Sequence, residues 1–243
     1  ATGGTGQGGG GLSGGTGGTG ADSSGGSSAS GGGTPSGVGG SAGGSGPTDP
    51  CAEPGIVACY RFENDALDSS VAQNHATATN VSYVSGRDGM ALHHQVGSLL
   101  EAPAAPLALS PLTIEFWMRP EAVPSSGRMA LVDHAGRYGI FILGGGMIQC
   151  RADALVSGSV VASNVWTHVA CTFSDTEIQI YLDGVLDVAG ANPPLDASPS
   201  TMYIASNYPS GEELVGELDE FRIFDVVRSP EQICASTGLL SCL

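Results

Sequence analysis

Thr113-Ile114-Glu115-Phe116-Trp117-Met118-Arg119 alternates with a period of two: Ile114, Phe116 and Met118 share one face, as they do only in an extended strand. Ile178-Gln179-Ile180-Tyr181-Leu182 repeats the pattern through Ile178, Ile180 and Leu182. The Asp183-Gly184 that follows is a type I′ hairpin signal before Val185-Leu186. A second hairpin is predicted from Tyr138 to Leu143, across Gly144-Gly145-Gly146, and back along Met147 to Arg151. Further strands are expected at Ile56–Phe62, Ala91–His94, Trp166–Phe173, Thr201–Ala205 and Leu218–Phe224. Many short strands with turn signals between them predict an all-β sandwich or jelly roll. One short helix is expected, with Ser229 as its cap, Pro230 at its first position and Gln232 closing a capping box before Ile233.

Outside these strands the composition divides the chain. Residues 1–50 hold 23 of the 39 glycines, so they read as a low-complexity flexible linker, and residues 51–243 read as one domain. As a coil the linker would span roughly 35–42 Å, enough to hold the domain away from a surface anchor. Two Gly-x-Ser-x-Gly matches and one dinucleotide-type Gly run fall inside this tract, with neither the strand nor the helix that their chemistry requires, and are discounted. The formal net charge is −16 and the chain has no Lys, which disfavours nucleic acid and anionic lipid and suits cations and neutral ligands. No apolar run is long enough for a membrane span, and no signal-peptide pattern opens the sequence.

The six cysteines, Cys51, Cys59, Cys150, Cys171, Cys234 and Cys242, contain no Cys-x-x-Cys pair, which points away from zinc and toward three disulfides in an oxidising compartment. Cys150 and Cys171 each fall in a predicted strand of the same meander, which favours a bond between them. Cys51/Cys59 and Cys234/Cys242 each close a short loop, and a bond tying the two ends, such as Cys51 to Cys242, is the competing arrangement.

Ordered blocks along the domain resemble a known family. They are Tyr60-Arg61-Phe62-Glu63, Leu67-Asp68-Ser69-Ser70, Asn74-His75-Ala76-Thr77, Gly86-Arg87-Asp88-Gly89-Met90-Ala91-Leu92, Trp166-Thr167-His168-Val169-Ala170, and Gly216-Glu217-Leu218-Asp219-Glu220-Phe221-Arg222-Ile223. Together they are similar to the laminin-G-like jelly roll of the concanavalin A-like lectin/glucanase group. His93-His94-Gln95 departs from the pattern, standing where the family tends to have an apolar or aromatic residue and a short turn. The resemblance implies the fold, an all-β, two-sheet antiparallel jelly-roll sandwich; lectins, hydrolases and adhesion modules all use it.

It also directs attention to three kinds of site. Enzymes of this group carry Glu-x-Asp-x-Glu or Glu-x-Asp-x-x-Glu on one strand; here Glu217 and Asp219 fit, but Phe221 or Arg222 occupies the third place, and Glu220 has the wrong parity unless a bulge intervenes. No catalytic residue is therefore assigned. A structural calcium, by resemblance, would take carboxylates from Asp68 and Asp219 and a carbonyl from Asn74, with the alternative that Asp68 is an Asx-turn residue. A glycan site needs an aromatic platform; Tyr138, Tyr203 and Tyr208 are the freer tyrosines, with Tyr138 and Tyr208 the chosen candidates. His93 and His94 should face opposite sides of a strand, and Asn80-Val81-Ser82 is a chance-prone glycosylation sequon. The reading is a secreted or surface-tethered, calcium-stabilised, non-catalytic recognition module for a glycan or surface protein. Its rivals are a glycoside hydrolase with a displaced catalytic pair and a structural fibre protein.

Overall fold

The computed structural model describes residues 3–4, 49–134, 137–151, 155–192, 200–208 and 211–242. The chain divides into two units, Ala1–Gly44 and Ser45–Leu243, and the second carries the fold. The linker reading of residues 1–50 lies almost wholly outside the described residues.

Strands alternate with turns along the unit: β1 (Ile56–Tyr60), β2 (Thr77–Thr79), β3 (Ser82–Ser85), β4 (Met90–His94), β5 (Leu99–Ala102), β6 (Leu112–Pro120), β7 (Arg128–His134) and β8 (Tyr138–Leu143), then β9 (Met147–Cys150), β10 (Leu155–Val160), β11 (Thr167–Phe173), β12 (Glu177–Leu182), β13 (Val185–Ala191), β14 (Met202–Ile204) and β15 (Gly216–Phe224). A helix, α1 (Pro230–Ser236), closes the domain with the expected Ser229/Gln232 capping box. The strands form two antiparallel sheets. The first runs β13-β12-β11-β6-β15-β4-β3 with β1 also on β15, and the second runs β10-β9-β8-β7-β14-β5-β2.

The alternation in β6 does what its sequence requires. Ile114, Phe116 and Met118 turn into the space between the sheets, where Phe116 stacks on Phe221 at 5.2 Å, and all are fully buried. From the second sheet Val132, Ile140, Ile142, Ile148 and Ile204 complete the same core. At ~25 cal/mol per Å² of apolar surface removed from water, each such side chain stabilises the fold by about 1.5–3 kcal/mol. Asp183 and Gly184 both adopt positive φ, 48° and 79°, as a type I′ turn demands.

Cys150 and Cys171 are bonded, as are Cys51–Cys59 and Cys234–Cys242. The expectation that the middle pair joins strands of one meander is corrected: Cys150 lies on β9 of the second sheet and Cys171 on β11 of the first. Both face inward, Cys150 level with Ile140 and Cys171 with Ile114 and Ile180, so the bond crosses the core and fastens one sheet to the other.

The outer face of the first sheet holds a buried ion network. Glu115, fully buried, receives Arg228 Nη1 at 2.6 Å and Arg222 Nη2 at 3.1 Å, and Glu53 receives Arg228 Nη2 at 2.5 Å. These contacts join the start of the domain and the α1 region to the central strands. Ile233 of α1 packs on Ala170 and Tyr181 beside them.

Candidate functional site: the outer face of the second sheet

Cross-strand register builds this face. Thr77 pairs with Glu101, Glu101 with Tyr203, Tyr203 with Asp133, and Asp133 with Gly139, so all five stand in one row across β2, β5, β14, β7 and β8. Their chain neighbours Leu100, Met202, Ile204, Val132 and Ile140 point the other way, into the core, which leaves this row facing out. Tyr203 meets Tyr208 with ring centroids 5.7 Å apart and planes at 47°, and Tyr208 is 58% exposed.

Polar groups surround the tyrosine pair. Burial pushes the Asp133 carboxyl above its ordinary range, with Arg128 pulling it down and Glu212 pushing it further up. Arg128 Nε reaches Glu212 Oε2 at 2.9 Å, and Asn207 Nδ2 donates to the same oxygen at 2.8 Å. The Arg128 guanidinium also lies 4.2 Å over the Phe141 ring. A Cβ on Gly139 would sit 2.6 Å from that ring, so glycine is what lets Phe141 lie along the sheet. Beside it opens a small cleft of about 230 Å³, lined by Asp133, Tyr138, Phe141 and Arg151 among others. The face thus offers an aromatic pair, carboxylate acceptors and guanidinium donors side by side.

Of the two tyrosines chosen from sequence, Tyr208 takes part in this face. The reading of Tyr138 as a free surface tyrosine is corrected: it is only 2% exposed, its hydroxyl donates to the Leu107 carbonyl, and burial drives its pKa well above the usual value. It follows a described turn at Arg137 and opens β8 with its ring turned into the core against Phe173. Asp133, Glu101, Arg128, Asn207 and Glu212 were missed. Parity held a signal for Asp133, which sits next to core-facing Val132.

The three residues chosen for calcium fall in two separate hydrogen-bond systems. Asp68 Oδ1 accepts from the Cys59 and Ser70 amides, both at 2.8 Å, and Oδ2 from Ser70 Oγ at 2.9 Å and the Asn74 amide at 2.7 Å. Asn74 joins Asp68 in that loop, and its Nδ2 donates to the Val57 carbonyl. Asp219 is elsewhere: its Oδ2 accepts from the Arg87 and Asp88 amides at 2.7 and 3.0 Å and its Oδ1 from the Glu220 amide. Burial pushes the Asp219 carboxyl up to about 7 against the pull of those three donors. Among the described residues no group of three or more His, Cys, Asp or Glu side chains is arranged to hold a metal ion.

The carboxylates of β15 are also bound up. Glu217 makes a two-toothed contact with Arg119, 2.9 and 3.0 Å, and His93 Nδ1 lies 3.6 Å from it. The bulge that Glu220 needed is present: register shifts between Asp219 and Arg222, and Glu220 has φ 47°. It marks the point where β15 exchanges β4 for β1 along one edge. His94 is buried with Nδ1 2.8 Å from the Leu214 carbonyl, while His93 is partly exposed, as opposite parity requires.

Comparison with known proteins agrees with this architecture. Residues 95–234 match the family model Laminin_G_3, of the concanavalin A-like lectin/glucanases superfamily. The chain belongs to that superfamily. No curated protein matches it. Domains of known structure share its fold at low identity. Domain 4 of AbnA, a GH43 extracellular arabinanase from Geobacillus stearothermophilus solved with arabinotriose, is 20% identical, with a TM-score of 0.65 over 74% of this chain and 97% of that one. The binding domain of Paraclostridial Mosquitocidal Protein 1 is 16% identical, with a TM-score of 0.64 over 75% of this chain and 52% of its own. The binding domain of botulinum neurotoxin DC, solved with rat synaptotagmin II, is 14% identical, with a TM-score of 0.60 over 76% and 51%. This chain therefore spans about half the length of the toxin domains. Among the described residues no helix is long and apolar enough to cross a membrane.

Proposed function

We propose that the domain is a non-catalytic, extracellular carbohydrate-binding module that takes its ligand on the outer face of the second sheet. The observation that carries this is the Tyr203–Tyr208 pair standing beside Asp133 and the Arg128–Glu212–Asn207 network. An aromatic ring gives a sugar an apolar surface to lie on, and flanking carboxylates and guanidinium groups exchange hydrogen bonds with its hydroxyls. The arabinotriose-bound relative supports a glycan over other ligands. A binding role without turnover fits β15, where Glu217 is held by Arg119 and Asp219 by three backbone amides. Three disulfides support an oxidising, extracellular setting.

The test is a screen of neutral oligosaccharides, arabinotriose included, followed by titration calorimetry on the best binder. Tyr208→Ala should weaken binding at least ten-fold while leaving the melting temperature unchanged, since the side chain is exposed. Unaltered affinity in that variant, or no oligosaccharide bound at millimolar concentration, would sink the reading.

A further inference from the structure

The row of side chains on the second sheet has a length. Thr77, Glu101, Tyr203, Asp133 and Gly139 stand on neighbouring strands, in the order β2, β5, β14, β7 and β8. Hydrogen-bonded strands lie about 4.7–4.9 Å apart, so four spacings carry the row about 19 Å across the sheet. Thr77 is exposed, and Glu101, Tyr203 and Asp133 are partly exposed. Each of the first four strands thus turns one group to solvent: a hydroxyl, a carboxylate, a phenol ring and a second carboxylate. At Gly139 there is no side chain, and the small cleft opens there instead.

The row also has a direction, because side chains stand along one flank of it. Phe141, the next outward position on β8 after Gly139, is only 1% exposed beneath the Arg128 guanidinium. Arg128 is tied to Glu212 and Glu212 to Asn207, and Tyr208 next to Asn207 meets Tyr203. Arg128, Glu212, Asn207 and Tyr208 together form a ridge. A ligand seated on the tyrosines meets this ridge if it runs along the strands, and has room beside it if it runs across them.

The step from strand to strand is close to the advance of one sugar unit along an extended glycan, so successive units can meet successive strands. We propose that the ligand of this face is the chain of a neutral linear polysaccharide, lying across the strands with about four consecutive sugars in contact. The inference rests on the carbohydrate reading above and adds the class of carbohydrate: a polymer chain, not a mono- or disaccharide. One unit lies on the Tyr203–Tyr208 pair. On one side the chain gives hydroxyls to Glu101 and Thr77, and on the other to Asp133 before it reaches the cleft at Gly139. That cleft, about 230 Å³, is smaller than the roughly 300–1,000 Å³ of a site that encloses a whole small ligand, as suits contact with one unit of a longer chain. Net charge of −16 disfavours a polyanionic chain.

Titration calorimetry with linear arabino-oligosaccharides and cello-oligosaccharides of two to six units tests the proposal. In a series that binds, affinity should rise at least ten-fold from the disaccharide to the tetrasaccharide and level off by the hexasaccharide. Glu101→Gln and Thr77→Ala, at the far end of the row from the cleft, should each weaken the tetrasaccharide at least three-fold and leave the disaccharide unchanged. Thr77 is exposed, so its variant keeps the fold, and melting temperatures check both. Equal affinity for the two lengths overturns the proposal, as do variants that weaken both lengths alike or neither. If Tyr208→Ala still weakens binding in those cases, the carbohydrate reading stands and only the chain-binding inference falls. Binding of neither series overturns the inference as well, and binding that Tyr208→Ala leaves unaltered overturns both.

Discussion

Replacing Cys150 and Cys171 together by Ala tests the bond that crosses the core. The two residues are 21 apart in sequence. Chain-entropy reasoning for a loop of that size gives about 3 kcal/mol of stabilisation, because the cross-link removes conformations from the unfolded chain. In a domain of this length 1 kcal/mol moves the melting temperature by about 2–4 °C, so the double variant should melt about 6–12 °C lower. Because the effect lies in the unfolded state, the urea m-value should rise as the denatured chain expands. Scanning calorimetry and urea unfolding under non-reducing conditions read both quantities, after peptide mapping has confirmed the bond in the parent. A fall of less than about 2 °C would refute the entropic account. A peptide linking Cys150 to any of the four terminal cysteines would refute the architecture itself.

Mild reductant followed by alkylation should label Cys234 and Cys242 first, because both are partly exposed while Cys150 and Cys171 are fully buried; simultaneous labelling would contradict this burial. Arg228→Met leaves Glu115 buried with one guanidinium fewer, so urea unfolding should show a loss of about 3–5 kcal/mol. His168 is held neutral, its pKa lowered to about 3 by burial and then by Arg222 and Arg228. Below pH 6.5 the unfolded chain therefore takes this proton first, and the histidine's contribution to stability falls by about 1.4 kcal/mol per pH unit as pH drops toward 3. His168→Asn removes that dependence, so the parent should lose more than about 1 kcal/mol relative to the variant between pH 6 and 5; a constant gap would exclude the linkage. For calcium, the four protein donors already on Asp68 predict melting curves that superimpose with the ion and with chelator, and a calcium-dependent rise would show that the loop opens to take it.

Much of the fold was legible because period-two patterning is a local property. The β6 and β12 runs, the Asp183-Gly184 turn and the Ser229 cap all stand where their residues require. What patterning cannot carry is which strand pairs with which. That is why Cys150 and Cys171 were paired for the wrong reason: alternation says that each faces inward, and nothing in it says that they belong to different sheets. The same gap hid the second-sheet site. Tyr203, Asp133 and Glu101 come from three strands and meet only through register. Tyr138 misled because it borders a turn, a position in which a tyrosine ring can face either way. The Glu220 bulge was foreseeable only as a condition, since it arises where β15 changes partner.

The bulge also separates what β15 does from what its sequence invites. A Glu-x-Asp motif on one strand face suggests paired carboxylates free to act on a substrate. Here each carboxylate holds a different piece of the sandwich in place. Glu217 holds Arg119, which lies 5.3 Å over the Trp166 ring; Asp219 holds the 87–88 turn. Glu220, displaced by the bulge, is half-buried; burial pushes its carboxyl up while Arg222 and Arg61 draw it down. Glu217 and Asp219 thus secure the scaffold rather than stand as a free carboxylate pair. Glu217→Gln should accordingly cost stability and leave ligand binding on the second sheet intact. Thermal melts and calorimetry on this variant decide it, and lost binding at an unchanged melting temperature, or any glycan turnover abolished by Glu217→Gln, would return β15 to the catalytic reading.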